Sequence, residues 1–374
     1  MSLSERLAKL DGIMRPVLSN FSPKFYIDFY SKGRKEFLDR LVNETPKNID
    51  VSSWSNPIKV WDIKFNNCIF NAAGMFKKGK GYEVVASQGA GAWLCGTTTS
   101  QPRMGNTKNG IVHPFVPLPR SGAAINWLGL PNDGHSAIAG TLKKIERIDG
   151  CPIGISVSSD PSESGLHALK SLVEGMNNLA KQNIDFIELN ESCPNVSNHT
   201  HKDHTILDEE MINRLQYIKD NFLKKRERNL PVIVKYSIDT NESLIGSLVN
   251  LLIDLEFDGI NLGNTSTKYD EIQKYIDKKE FDQYKYFVEN FGGGISGRVL
   301  KDKSLKLCKT AHDEIKKSKL KNEFHIIRTG GIETHKDLID SQNAGVTLNQ
   351  WYTGYFENFS KFGHNVYKSL ISNS

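Results

Sequence analysis

The residues best able to do chemistry in this chain are crowded into one stretch, residues 185–196, reading DFIELNESCPNV. The run from Ile184 to Leu189 is apolar and branched, as in a buried strand. It ends in Asn190, Ser192, Cys193, Pro194 and Asn195, which supply two carboxamides, a hydroxyl and a thiol. Pro194 stops the ladder because it has no N–H, and it biases Cys193 toward an extended backbone. A thiol ionises at ~8.5 when unperturbed, so it can serve as a base near neutral pH far more readily than a serine hydroxyl. Taken alone, SCPN could equally be a turn around a small buried thiol.

Other short apolar runs end in similar clusters. Ala72-Ala73-Gly74 would let a flat ring lie close to backbone, and Lys77 follows. Thr97 comes after the second run, Asn126 lies in INWLGLPN, and Ser156 ends the third. Lys235 closes Pro231-Val232-Ile233-Val234, where a charge is costly unless it faces an anion or an electron-rich ring. Asn264, Thr265 and Ser266 end the sixth run. Glycine-containing segments at Gly294 to Gly297, Gly330-Gly331 and Tyr352-Thr353-Gly354 suit a phosphate held by backbone N–H groups and a helix N-terminus. The carboxamides and the lone thiol point to a small, hydrogen-bonding substrate. His199, His201 and His204 lie in the polar stretch NHTHKDHT without metal-ligand spacing, so no metal site is expected.

The elements that must position these groups follow a repeating pattern. Strands are expected at 68–72, 91–95, 152–157, 184–189, 231–235, 259–262, 325–327 and 346–348. Helices fit at 79–88, 134–147, 162–183, 208–228, 242–256, 303–318, 335–343 and 356–372, and Thr334 with Asp337 resembles a capping box. Eight strand–helix units in series are what a (β/α)8 barrel requires, with its site at the strand C-termini; an open doubly wound sheet is the alternative. The segment 268–290 reads as a charged, solvated insertion. Ahead of the barrel, residues 1–44 form an N-terminal extension of two amphipathic helices. Leu3, Leu7, Leu10, Met14, Val17 and Leu18 share one face, and Phe25, Phe29, Phe37 and Leu41 another. Such faces either pack on the main domain or offer a platform to a membrane surface or an apolar ligand. A polar connection over 45–56 separates them from a barrel domain at 57–374.

Composition sets bounds. The 374 residues suit one large α/β domain with an appendage, or two domains, and a 38% hydrophobic fraction is adequate for a core. A formal charge of +5 is too mild to imply nucleic acid. Five scattered cysteines without a C-x-x-C pair argue against an iron–sulfur cluster or disulfide scaffold and suit a reducing cytosol. There is no signal peptide and no uncharged apolar run near the ~20 residues a membrane span needs.

In order, NAAG, INxxGLPN, ELNxSCPN, VK, NT, GGxSG, TGGI and QxYTG resemble the dihydroorotate dehydrogenase family, from about Pro57 to near the C-terminus. The resemblance implies an FMN-containing (β/α)8 barrel that oxidises dihydroorotate to orotate in pyrimidine synthesis. It puts Ala72, Ala73, Gly74 and Thr97 beside the flavin. Ser156, Asn190 and Lys235 would hydrogen-bond its ring system, with Lys235 near the N1–C2=O end. Gly297, Gly330, Gly331, Tyr352 and Thr353 would hold the phosphate. Asn126, Asn190, Asn195 and Asn264, with Thr265 or Ser266, would bind the pyrimidine, Lys77 its carboxylate. Cys193 would take the C5 proton while C6 gives hydride to flavin N5.

Features of two branches are mixed. A cysteine base is typical of soluble class 1 enzymes. The helix pair, Lys77, GGxSG, Arg298 and YTG resemble membrane-associated class 2, and Gly96 stands where class 1 carries a lysine. Class 2 implies quinone as acceptor, with the helix pair as its entrance and peripheral membrane contact; class 1 implies fumarate. A non-redox phosphate-binding barrel, which would be colourless, is the competing enzyme class.

Overall fold

The computed structural model describes residues 1–46, 49–191 and 207–372. Eight parallel strands form its centre: β1 (Ile69–Asn71), β2 (Trp93–Thr98), β3 (Ile153–Val157), β4 (Phe186–Asn190), β5 (Val232–Tyr236), β6 (Gly259–Leu262), β7 (His325–Thr329) and β8 (Leu348–Trp351). Their order around the sheet is β1-β8-β7-β6-β5-β4-β3-β2, with a helix after each strand, so this is the expected (β/α)8 barrel. The β2–β3 ladder shifts register between Cys95 and Thr98, and the β1–β2 seam has no ladder. There the Asn71 side chain acts as a surrogate peptide, accepting from Leu94 N–H at 3.1 Å and donating to Leu94 C=O at 2.7 Å.

Strand alternation builds the interior in layers. Phe70, Leu94, Phe186, Ile233, Ile327 and Leu348 point inward and pack into an apolar layer. Gly154 belongs to this level because the Phe186 ring fills the place of a side chain: a Cβ there would lie 2.2 Å from it. Two residues further along the strands the inward positions turn polar: Ser156, Glu188, Lys235, Asn261, Thr329 and Gln350, all buried. The opposite mouth is plugged by a hairpin, Ile58–Val60 with Ile63–Phe65, whose Trp61 indole N–H donates to Asp258 C=O at 3.0 Å.

The N-terminal helices are α1 (Leu3–Leu18), opened by a Ser2–Glu5 capping box, and α2 (Pro23–Leu41), opened by proline. They dock through Ser4, Ala8, Tyr26, Ile27, Tyr30 and Leu41, which are buried. Arg15 holds α1 to Glu357 at 2.6 Å, and Ser2 and Ser4 are fastened by Glu44. Much of the leucine and phenylalanine stripe that was expected to pack or to form a platform faces outward: Leu10 is 55% exposed, Val17 53% and Phe25 49%.

Two expectations are corrected. Residues 268–290 are not a solvated insertion. They carry a helix, Phe281–Phe291, whose Tyr284, Phe287 and Phe291 are buried against α2 and the strand Phe115–Leu118, leaving Asp282, Lys285 and Glu289 outside. Buried Glu280 also accepts N–H bonds from Arg120 and Ser121 at 2.8 and 2.9 Å. The final helix is broken in two, Thr353–Phe362 and Val366–Ile371, by Gly363 at φ +56°.

Candidate active site

At the C-terminal ends of the strands lies an open cleft enclosing ≈ 1110 Å³ up to and including its mouth. Ala72, Ala73 and Gly74 form one wall, and Thr97, Asn190, Lys235, Thr329 and Gln350 the floor. Asn126, Asn264, Thr265 and Lys77 lie at one side; Gly297, Gly330, Gly331, Tyr352 and Thr353 lie at the other. Most residues singled out from sequence are thus brought together. Ser156 lies behind the floor, fully buried, with its Oγ 2.9 Å from Thr97 Oγ1. Cys193 and Asn195, with the three loop histidines, lie outside the described residues.

The floor is a hydrogen-bonded network. Asn190 donates to Thr97 Oγ1 at 3.2 Å and accepts at its backbone oxygen from Ser158 Oγ at 3.1 Å. Lys235 reaches Gln350 Oε1 at 3.1 Å and Glu188 Oε1 at 3.4 Å. Thr329 Oγ1 lies 2.9 Å from Asn261 Oδ1 and 3.0 Å from Gln350 Oε1. Of the Thr265–Ser266 pair, Ser266 is turned away toward Asp239 at 2.6 Å. The Thr265 hydroxyl is buried without a hydrogen-bond partner among the described residues, as suits a group waiting for a ligand.

The glycine end is shaped by backbone. Gly297 (φ +109°) leaves no room for a Cβ, which would sit 2.2 Å from Gly122 C=O. Gly331 (φ +77°) lies so close to the helix Lys301–Ile315 that a Cβ would meet Lys301 Cα at 2.3 Å. The helix Thr353–Phe362 starts here, with the Thr353 and Ser296 hydroxyls 2.9 Å apart. Behind it Arg328 is fully buried and bonds only neutral oxygens: Ser304 Oγ, Ser341 Oγ and two carbonyls. Ser304 in turn donates to Gly330 C=O at 2.8 Å, which fixes the loop. Curved backbone, a helix N-terminus and a buried guanidinium whose hydrogen bonds among the described residues go to neutral oxygens fit an anionic phosphate, and the small-residue wall beside Lys235 fits a flat, electron-rich ring. The residues present therefore suit a flavin nucleotide.

Three features help explain the mixed pattern. Gly96 stands where no side chain fits, since a Cβ would meet Phe76 C=O at 2.6 Å. The strand leading to Cys193 is anchored just before it by Glu191, which binds Arg214 through both oxygens at 2.5 to 3.0 Å. The described cysteines are poor bases: burial raises Cys68 and pushes Cys95 and Cys308 up to about 12.

Sequence reasoning missed Glu188, Asn261, Thr329, Gln350 and Arg34. The first four could have been found by counting in twos from the inward-facing apolar residues. Arg34 of α2 could not: its guanidinium meets the Tyr352 hydroxyl at 3.3 Å and lies 5.6 Å from the Phe115 ring centroid only because the helix docks there.

A (β/α)8 barrel with a polar floor, a small-residue wall and glycine-rich backbone at its C-terminal face has the architecture of the TIM-barrel enzymes. The family model for dihydroorotate dehydrogenase matches residues 57–373, and the chain belongs to that family. It is 26% identical over 348 residues to the dihydroorotate dehydrogenase (quinone) of Christiangramia forsetii, covering 92% of this chain and 93% of that protein. It is also 26% identical over 299 residues to the protein of that name from Dichelobacter nodosus, covering 80% and 82%. Its fold is that of the Eimeria tenella DHODH solved with ferulenol, with a TM-score of 0.71, 19% identity, and 90% and 88% of the two chains covered.

Proposed function

We propose that this protein oxidises dihydroorotate to orotate in pyrimidine synthesis with FMN as hydride acceptor, and that a quinone takes the electrons onward. The observation that carries the reading is the family match across the barrel, together with a cleft whose two ends suit a phosphate and a flat ring. FMN supplies the acceptor for the hydride leaving C6 of the substrate. Ala72, Ala73 and Gly74 give the ring a flat wall. Lys235, Asn190 and Thr97 meet its polar edge, with Ser156 holding Thr97 from behind. Gly297, Gly330, Gly331, Tyr352 and Thr353 cradle the phosphate by backbone, and Arg328 adds positive potential behind them.

Asn126, Asn190, Asn195, Asn264 and Thr265 orient the pyrimidine by hydrogen bonds, and Lys77 pairs with its carboxylate. Cys193 removes the C5 proton. No described thiol competes for that role, because burial raises the others.

Quinone is favoured over fumarate by the relatives' names and by the outward apolar stripe of α1 and α2. Residues 1–44 act as the entrance unit on the barrel of 57–374, with Arg34 and Tyr352 where it meets the cleft. Among the described residues no helix is long and apolar enough to cross a membrane. The test is the purified protein's visible spectrum, then bleaching by dihydroorotate and recovery with a short-chain quinone, fumarate or NAD in turn. A yellow protein bleached by dihydroorotate and restored fastest by quinone is expected. A colourless protein that takes up no FMN ends the reading, and recovery with fumarate alone ends the quinone half.

A further inference from the structure

We propose that Glu188 is a positioning residue that sets the flavin's reduction potential through Lys235; the idea rests on the flavin reading above. Glu188 lies two residues before Asn190 on β4, so strand alternation turns it into the barrel beneath the cleft floor. Its side chain is 1% exposed and does not line the cleft. Asn261 Nδ2 and Gln350 Nε2 donate to Oε2 at 2.7 and 2.6 Å, and Lys235 Nζ lies 3.4 Å from Oε1. The Gln350 orientation is fixed independently, since Lys235 Nζ can only donate and meets Gln350 Oε1 at 3.1 Å, which leaves Nε2 for Glu188; the Thr329 hydroxyl, with that oxygen already served, has its one proton for Asn261 Oδ1 at 2.9 Å. Each of these neighbours is a donor, so the network accommodates the carboxylate form and offers a protonated acid no acceptor.

Lys235 is therefore a cation with its counter-ion directly behind it and the cleft in front. At the flavin's N1–C2=O edge, such a pair presents the positive end of a dipole rather than a free charge. A free cation would stabilise the reduced, anionic ring strongly and hold its electrons. The carboxylate moderates that pull, so electrons that arrive easily from the substrate can still leave to the acceptor. It also fixes Nζ by taking up one donor, with Gln350 taking another.

The test uses the flavin-loaded protein and reads its potential by equilibration with a reference dye. Glu188→Gln keeps shape and removes charge. At a fixed ambient potential it should raise the reduced-to-oxidised ratio at least tenfold, about 30 mV for a two-electron couple. Reoxidation by quinone should slow, while bleaching by dihydroorotate is not slowed. A merely structural role predicts no change in potential, and an unchanged potential overturns the proposal. If Glu188→Gln does not hold flavin, Glu188→Asp, which keeps the charge but draws it back from Lys235, is measured instead; its potential must be more positive than that of wild type, and an unchanged potential overturns the idea. Wild type that binds no flavin defeats the functional reading instead, so the two failures are told apart.

Discussion

The barrel interior buries charge, whereas the N-terminal helix pair exposes carbon. Glu188 and Lys235 lie almost out of reach of water, while Leu10, Ile13, Phe21 and Phe25 lie in it. Buried charge costs desolvation, and an exposed apolar stripe is prone to association. What differs is the means of compensation. Inside the barrel every charge of the floor network is met by another side chain, so the site is pre-organised before any ligand arrives. On the helices nothing among the described residues covers the outer stripe. On this reading chemistry belongs to the first region and delivery of the acceptor to the second.

The sharpest way to break that division is Cys193. General-base assistance contributes ~10²–10⁴-fold, so Cys193→Ala should slow bleaching of the flavin by dihydroorotate by about that factor and leave reoxidation unchanged. Cys193→Ser should keep a remnant with its optimum at higher pH. Stopped-flow absorbance across pH for wild type and both variants is the measurement. Bleaching of Cys193→Ala at the wild-type rate would remove the thiol from the mechanism.

A second prediction concerns a buried polar group outside the network. His135 has no partner for either ring nitrogen among the described residues, and burial lowers its pKa from 6.5 to about 4. Between those values the unfolded chain binds a proton that the folded one refuses, so stability falls as pH drops from 6.5 toward 4. The full effect is roughly 3 kcal/mol. Urea midpoints at neutral and acid pH should differ more for wild type than for His135→Leu. Equal losses on acidification would mean that His135 is not the group responsible.

At the phosphate end, Gly331→Val should weaken FMN binding by about ten- to a hundredfold, because a β-branched residue at positive φ carries ~1–3 kcal/mol of strain. A Cβ at this position would run into Lys301 of the neighbouring helix. The loss should therefore extend to riboflavin, which lacks the phosphate. If only FMN binding suffered, the clash would lie with the ligand after all.

How far the sequence spoke depended on whether a signal was local. Seven of the eight barrel strands and the Thr334–Asp337 capping box follow from apolar runs and turn chemistry, which need no knowledge of distant neighbours; the last strand, expected at 346–348, lies at Leu348–Trp351 and shares only Leu348 with that expectation. Most cleft residues were legible because they sit at strand ends, where a barrel must converge. Glu188 sat within a quoted motif and went without a role, since a charge in an apolar run is explained only by partners on other strands. The helix Phe281–Phe291 was hidden by its charged outer face, although Tyr284, Phe287 and Phe291 recur at helical spacing. Arg34 carried no signal at all, because only docking of α2 brings it to Tyr352.

The smallest expected effect tests the helix side of the comparison. Leu7 and Leu10 lie on the outer stripe of α1, 37% and 55% exposed, and neither belongs to the buried core. Surface substitutions of this kind usually change stability by less than ~0.5 kcal/mol. Leu7→Glu with Leu10→Glu should leave the melting temperature and bleaching by dihydroorotate near wild type. It should slow recovery with a long-chain quinone presented in vesicles by about three- to tenfold, since two carboxylates lower both apolar contact and attraction to an anionic surface. A short-chain quinone in solution should suffer less, because it does not need the platform. The ratio of the two recovery rates is therefore the decisive quantity. Were it the same in variant and wild type, the exposed carbon of α1 would have no part in delivering the acceptor, and only the barrel half of the comparison would stand.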